Sequence, residues 1–224
     1  MIITEQKPFE KIIDSLRGNT KVFLVGCGEC ATTCKTGGQE ALSKIQKELE
    51  VRGLSVLGTC IPNAPCVASQ IKIELAKNTL TLRETGAILV FACGLGVQSV
   101  KDNDRTGVEV LPGCDTLCGA VVDGLGSFLE KCSMCGECVL DLTAGICPVT
   151  LCPKGLLNGP CGGMDKGKCE VDKERDCAWV LIYNALDKKK KTAQLKNIQP
   201  PRDYKKAQKP RRILAVNNPA HSSG

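Results

Sequence analysis

The chain runs to 224 residues with a net charge of +6, 42% hydrophobic residues and seven aromatic ones. That suits one ordinary domain with a small appendage but leaves few rings for a self-sufficient core. No stretch approaches the ~20 apolar residues of a membrane span, and the opening MIITEQKPFEK lacks an apolar h-region, so no secretory signal is visible; in the cytoplasmic location this implies, sixteen cysteines argue for metal, whereas a secreted chain would use them as a disulfide framework.

Residues 1–126 alternate apolar strands with helical patterns. Residues 8–17 suit a helix with Phe9, Ile12, Ile13 and Leu16 on one face and Pro8 in its first turn. KVFLV at 21–25 has the pattern of a buried strand. A helix follows over 39–51 with Leu42, Ile45 and Leu49 inward, then a short strand at 54–57 and a helix over 67–77. AILVF at 87–91 is the clearest strand, and 108–111 is a fourth. Residues 117–131 are expected to form a helix softened by glycines. Continuous apolar strands separated by helices predict an α/β domain, a small Rossmann-like parallel sheet covered on both faces. Ligands of such sheets bind beyond the carboxyl ends of the strands, and Cys27, Cys60, Cys93 and Cys114 stand there.

The loop after the first of these strands, VGCGECATTCKTGG, carries Cys27, Cys30 and Cys34. Its glycines allow close approach of backbone N–H groups, which are expected to hydrogen-bond cluster sulfurs. A cubane needs four ligands. Cys66, in CIPNAPC, and Cys93 are the best additions, so five candidates compete for four places. The same loop matches the dinucleotide fingerprint G-x-G-x-x-A at Gly26, Gly28 and Ala31, with Glu48 or Glu50 near the acidic position. Against nucleotide binding, two variable places are cysteines and the helix pattern starts only after Gly38.

Residues 127–187 form a loop-rich, Cys-rich domain closed by a helix over 177–186. It holds Cys132, Cys135, Cys138, Cys147, Cys152, Cys161, Cys169 and Cys177, with no histidine among them. The C-x2-C-x2-C spacing of the first three suits one cubane. Cys147-Pro148 and Cys152-Pro153 resemble the Cys-Pro that ends ferredoxin runs, where the last ligand often serves the other cluster. The partition of the last five cysteines therefore stays open. Two [4Fe–4S] clusters are expected here; the competing reading is two zinc sites of four thiolates each. Cys60, Cys114 and Cys118 are read as buried free thiols, which behave as small hydrophobes; the alternative is that they ligate too, with sixteen cysteines capping the count at four cubanes. Trp179 is expected to pack the closing helix over a cluster. Glu130 and Glu137, beside the first cysteines, are read as surface charges.

Residues 188–224 are a basic extended tail. From 187 onward there are 11 Lys/Arg against two Asp, so the body is slightly acidic. The tail is either a solvated extension or a strap that docks on a partner with Ile198, Tyr204, Ile213, Leu214 and Val216 as anchors. Its single aromatic argues against nucleic acid. The one histidine, His221, lies in it, and no Ser/His/Asp set or P-loop is present.

CSMCGECVLDLTAGICPVTLCPKGLLNGPCGGMDKGKCEVDKERDCAWVLIYNAL resembles the C-terminal domain of bacterial methylenetetrahydrofolate reductase. VGCGECATTCKTGGQEAL, FACGLGVQSV and the Pro-Pro-Arg-Asp-Tyr turn resemble other parts of the same small iron–sulfur subunit. The resemblance implies ligands at Cys27, Cys30, Cys34, Cys66 and Cys93 and at all eight C-terminal cysteines; Cys60, Cys114 and Cys118 fall outside its pattern. It further implies an electron-transfer subunit of methylenetetrahydrofolate reductase with no catalytic residues of its own. Electrons would pass from ferredoxin or a larger redox complex to the flavin of a folate-binding partner, which reduces 5,10-methylene- to 5-methyltetrahydrofolate. Two readings compete with this one: a zinc-binding scaffold subunit of the same complex, and a nucleotide-dependent oxidoreductase.

Overall fold

The computed structural model describes residues 1–210. His221 and the anchors Ile213, Leu214 and Val216 lie outside the described residues. The chain divides into two compact units, one spanning Met1–Leu129 and one starting at Glu130.

The first unit is α/β. Strand β1 (Ile2–Gln6) and helix α1 (Phe9–Leu16) precede β2 (Lys21–Val25). A single turn, α2 (Cys30–Thr33), and the longer α3 (Gln39–Val51) lead to β3 (Ser55–Cys60). Then come α4 (Ala68–Lys77), α5 (Thr79–Arg83), β4 (Ala87–Val90), α6 (Gly94–Asn103) and β5 (Glu109–Pro112). Strands β3-β2-β4-β5 form a parallel four-stranded sheet in that order. Its core follows from strand alternation. Val22, Leu24, Ala87, Leu89 and Phe91 pack with Ile12, Leu16, Leu42, Ile45 and Leu49 from α1 and α3. Phe23, Val25, Ile88 and Val90 turn the other way, onto Ile71, Leu75, Leu82 and Val100 of α4, α5 and α6. Full burial of each such side chain contributes about 1.5–3 kcal/mol, and covering on both faces explains why these strands are apolar throughout.

The expected helix over 117–131 is not formed. Residues there make strand β6 (Cys114–Val122) and the start of β7 (Phe128–Cys132), joined by a turn in which Asp123 N–H donates to Ser127 O at 3.0 Å. β1, also unanticipated, pairs antiparallel with β6, and a three-stranded sheet results in the order β1-β6-β7. The physical cause lies in the residues: Val121 and Val122 favour extended backbone, and Asp123-Gly124 opens a hairpin turn.

In the second unit, α7 (Pro148–Leu151) and α8 (Ala178–Lys188) are the only α-helices among the described residues. Trp179, Ile182 and Leu186 of α8 form its core with Cys177, joined by Ile146, Leu156, Met164 and Leu195. After α8 come two short 3-10 turns, Thr192–Lys196 and Tyr204–Ala207. Through residue 206 the tail is fastened to its own unit. Gln194 Nε2 donates to Leu142 O at 2.5 Å. Asn158 exchanges hydrogen bonds with Gln199 at 3.0 and 2.7 Å. Ile198 and Tyr204 are exposed. Among the described residues no helix is long and apolar enough to cross a membrane.

Candidate metal centres

At the carboxyl edge of the parallel sheet, the loop between β2 and α3 is drawn against the ends of β3 and β4. Gly26 N–H donates to Cys60 O at 2.8 Å, Cys27 N–H to Gly37 O at 3.0 Å and Gly28 N–H to Pro62 O at 2.9 Å. The approach is tight enough to need glycine: a Cβ on Gly37 would lie 1.9 Å from Phe91 O, and one on Gly26 would lie 2.3 Å from Gly37 O. The amides of Gly26, Cys27, Gly28 and Gly37 are thus committed to backbone carbonyls. They are not spare donors for cluster sulfurs, as the sequence had suggested, nor for a pyrophosphate. Only the four-residue α2 follows the fingerprint loop directly; α3 starts at Gln39.

The scaffold groups the N-terminal thiols. Burial pushes the Cys66 thiol up from its ordinary value, and negative charge on Cys93, Cys27 and Cys30 around it pushes in the same direction. Cys66 is thus within electrostatic reach of the other three. Cys93 is the N-cap of α6. The Cys34 sulfur is 3.9 Å from Ile2 O, and its charge acts on Cys114. Cys114 is buried and 3.8 Å from Thr36 O. Burial is the main cause that raises Cys60 and Cys114 to about 12, with Glu74 adding at Cys60 and the Thr36 contact opposing at Cys114. Both therefore stay neutral thiols near pH 7. Cys118 is half-buried on β6.

The second unit separates its eight cysteines into two neighbourhoods. Cys152, Cys161, Cys169 and Cys177 line one small cavity with Pro153, Pro160, Met164, Val171, Ala178 and Trp179. Trp179 is buried, and its Nε1 donates to Leu156 O at 3.0 Å, which fixes the ring as a wall of the cavity. Cys177 is the N-cap of α8. Glu170 Oε2 stands 3.1 Å from the Cys161 sulfur and 2.6 Å from Lys154 Nζ. The Lys154 hydrogen bond, then that of Cys161, holds Glu170 below the usual carboxylate range.

The other neighbourhood is the loop of Cys132, Cys135 and Cys138, to which Thr150 ties Cys147. Ser133 N–H donates to Thr150 Oγ1 at 3.0 Å, and the Cys147 sulfur lies 3.5 Å from the same oxygen. Met134 N–H donates to the Cys132 sulfur at 3.3 Å. Glu137 is no idle surface charge. Asp203 N–H and Lys206 Nζ reach its carboxylate at 3.0 and 3.1 Å, and in that order they hold it below the usual carboxylate range. Arg202 Nη2 donates to the Cys135 sulfur at 3.0 Å and also to Glu137 O. Neither Thr150 nor Arg202 stood out in the sequence as a site residue; the Pro-Pro-Arg-Asp turn was the one hint of the latter.

The later four thiols of the second unit thus share one cavity, Thr150 links Cys147 to the loop of Cys132, and Cys66 interacts with Cys27, Cys30 and Cys93 in the first unit. Among the described residues no three His, Cys, Asp or Glu side chains converge as a single ion would require. An all-thiol donor set can hold a zinc ion or the corners of a cubane; the cavity of the later four is walled by Pro160, Met164, Val171 and Trp179, with Lys154 and Glu170 also at its lining.

Residues 111–205 match the model of a family described as the methylene-tetrahydrofolate reductase C terminal. The match takes in β6 and β7 as well as the Cys-rich segment and ends within the docked part of the tail. No curated protein and no solved structure gives a significant match to the chain.

Proposed function

We propose that this chain, whose residues 111–205 match the methylene-tetrahydrofolate reductase C-terminal family model, is the electron-transfer subunit of such a reductase. The observation that carries the proposal is the gathering of Cys152, Cys161, Cys169 and Cys177 about one cavity. Bound to these sets, [4Fe–4S] clusters would supply one-electron carriers and no acid–base chemistry. Cys27, Cys30, Cys66 and Cys93 would hold one centre; Cys132, Cys135, Cys138 and Cys147 a second; Cys152, Cys161, Cys169 and Cys177 a third.

The remaining residues fit that task. Trp179, Met164 and the prolines keep water from one side of the third set, and low local dielectric strengthens the influence of nearby charges on it. Reduction of 5,10-methylene- to 5-methyltetrahydrofolate is assigned to a flavin-bearing partner, and the electron supply to ferredoxin or a larger redox complex.

The test is anaerobic. The full chain, purified with its flavin partner, should bleach in the visible range with reduced ferredoxin and then pass those electrons to the partner's flavin. Flavin reduction by ferredoxin at the same rate without this chain would refute the assignment.

A further inference from the structure

The tail residues 202–206 lie along the loop between Cys135 and Cys138, and the loop backbone is shaped to receive them. Gly136 has φ +84, and a Cβ there would sit 2.8 Å from Lys206 O. Asp203 N–H and Lys206 fasten both sides of the Glu137 carboxylate. This clasp carries Arg202 to the Cys135 sulfur, 67 positions earlier in sequence, through Nη2 at 3.0 Å. The other terminal nitrogen, Nη1, is buried with no hydrogen-bond partner, the only such side-chain nitrogen or oxygen among the described residues. A buried charged donor left unpaired is costly. Since a guanidinium is planar and fork-shaped, an acceptor beside the Cys135 sulfur suits it.

Resting on the cluster assignment above, we propose that Arg202 is the residue that sets the reduction potential of the centre held by Cys132, Cys135, Cys138 and Cys147. Nη2 donates to the Cys135 sulfur, and Nη1, which has no partner in the chain, would donate to a cluster held by those four cysteines. Hydrogen bonds to the sulfurs and nearby charge are the levers a protein has on such a potential. Adding one electron makes the centre more negative, so a fixed cation that donates to its sulfurs favours the reduced form. Arg202 supplies no electron; the electron comes from the external donor. Arg202 is a positioning residue for charge, and it sits on the tail, so seating of the tail and readiness of this centre to accept an electron are linked.

The experiment is a redox titration of the full chain followed by electron paramagnetic resonance, with iron and sulfide counted in each sample. R202Q removes the charge and the fork, and one centre should become about tenfold harder to reduce, ~59 mV for one electron. R202K keeps the charge without the fork and should shift the same centre by less. The other centres should not move. Iron-replete variants with every potential unchanged would overturn this inference alone, since a merely structural Arg202 would change stability and not one potential. If R202Q loses iron, R202K carries the test by the same criterion. Wild-type protein without iron and sulfide would overturn the cluster assignment, and this inference with it.

Discussion

Gly37→Ala probes the N-terminal site through its backbone. The added methyl would lie 1.9 Å from Phe91 O, 3.0 Å from Phe91 C and 2.8 Å from Ala31 Cβ. The first two are backbone atoms beside a central strand, so no flexible side chain can move aside. Overpacking of this kind costs about 1–3 kcal/mol. Relief requires the loop to withdraw, which also gives up the Cys27 N–H bond to Gly37 O at 3.0 Å, about 0.5–1.5 kcal/mol more. A loss of roughly 2–4 kcal/mol in the first unit follows, or a fall of several degrees in its thermal midpoint at about 2–4 °C per kcal/mol. Gly124→Ala is the matched control, because nothing lies within 4 Å of its added Cβ and its φ is not positive; it should stay within about 0.5 kcal/mol of wild type. Urea unfolding, read by hydrogen exchange at the amides of β2 and β4, gives both numbers. A G37A protein as stable as G124A would refute the close approach of the loop to the end of β4.

Serine substitutions test the partition of ligands. Any one change among Cys152, Cys161, Cys169 and Cys177 should abolish the same spectroscopic centre, and a second change within that set should remove little more; loss of a centre assigned to Cys132 or Cys135 instead would contradict the grouping. Cys60 gives a pH dependence. Its thiol is raised from 9.0 to about 12, chiefly by burial and then by Glu74, against Lys77. Below pH 9 it is neutral folded and unfolded alike; above, only the unfolded chain ionises, so stability falls as pH rises from about 9 toward 12, by at most ~1.4 kcal/mol per pH unit. Urea midpoints at pH 8.5 and 10.5 should fall less in Cys60→Ala than in wild type, and equal falls would disprove a suppressed thiol.

The parallel sheet was legible because each of its central strands is buried on both faces. KVFLV and AILV have no polar residue to spoil the pattern beyond Lys21 at the edge. The β6–β7 hairpin was misread for the opposite reason. Leu117, Val121, Val122, Leu125, Phe128 and Leu129 are all exposed, so no face-by-face alternation marked the strands. Helix α6 went unnoticed because Gly94 and Gly96 lower helix propensity, yet a Cβ on Gly96 would come within 2.9 Å of Ala92 Cβ. The candidate ligands could be named from cysteine spacing, but their grouping could not. Thr150 ties Cys147 to the first loop, and the walls of one cavity gather the later four. Both are tertiary facts, as is the return of Arg202 to Cys135.

Iron, acid-labile sulfide and zinc, counted per chain in anaerobically purified full-length protein, test the cluster assignment most directly. Three cubanes require about 12 iron and as many sulfides, with visible absorbance that bleaches under dithionite. Colourless protein with stoichiometric zinc and no sulfide would contradict an electron-transfer role for this chain.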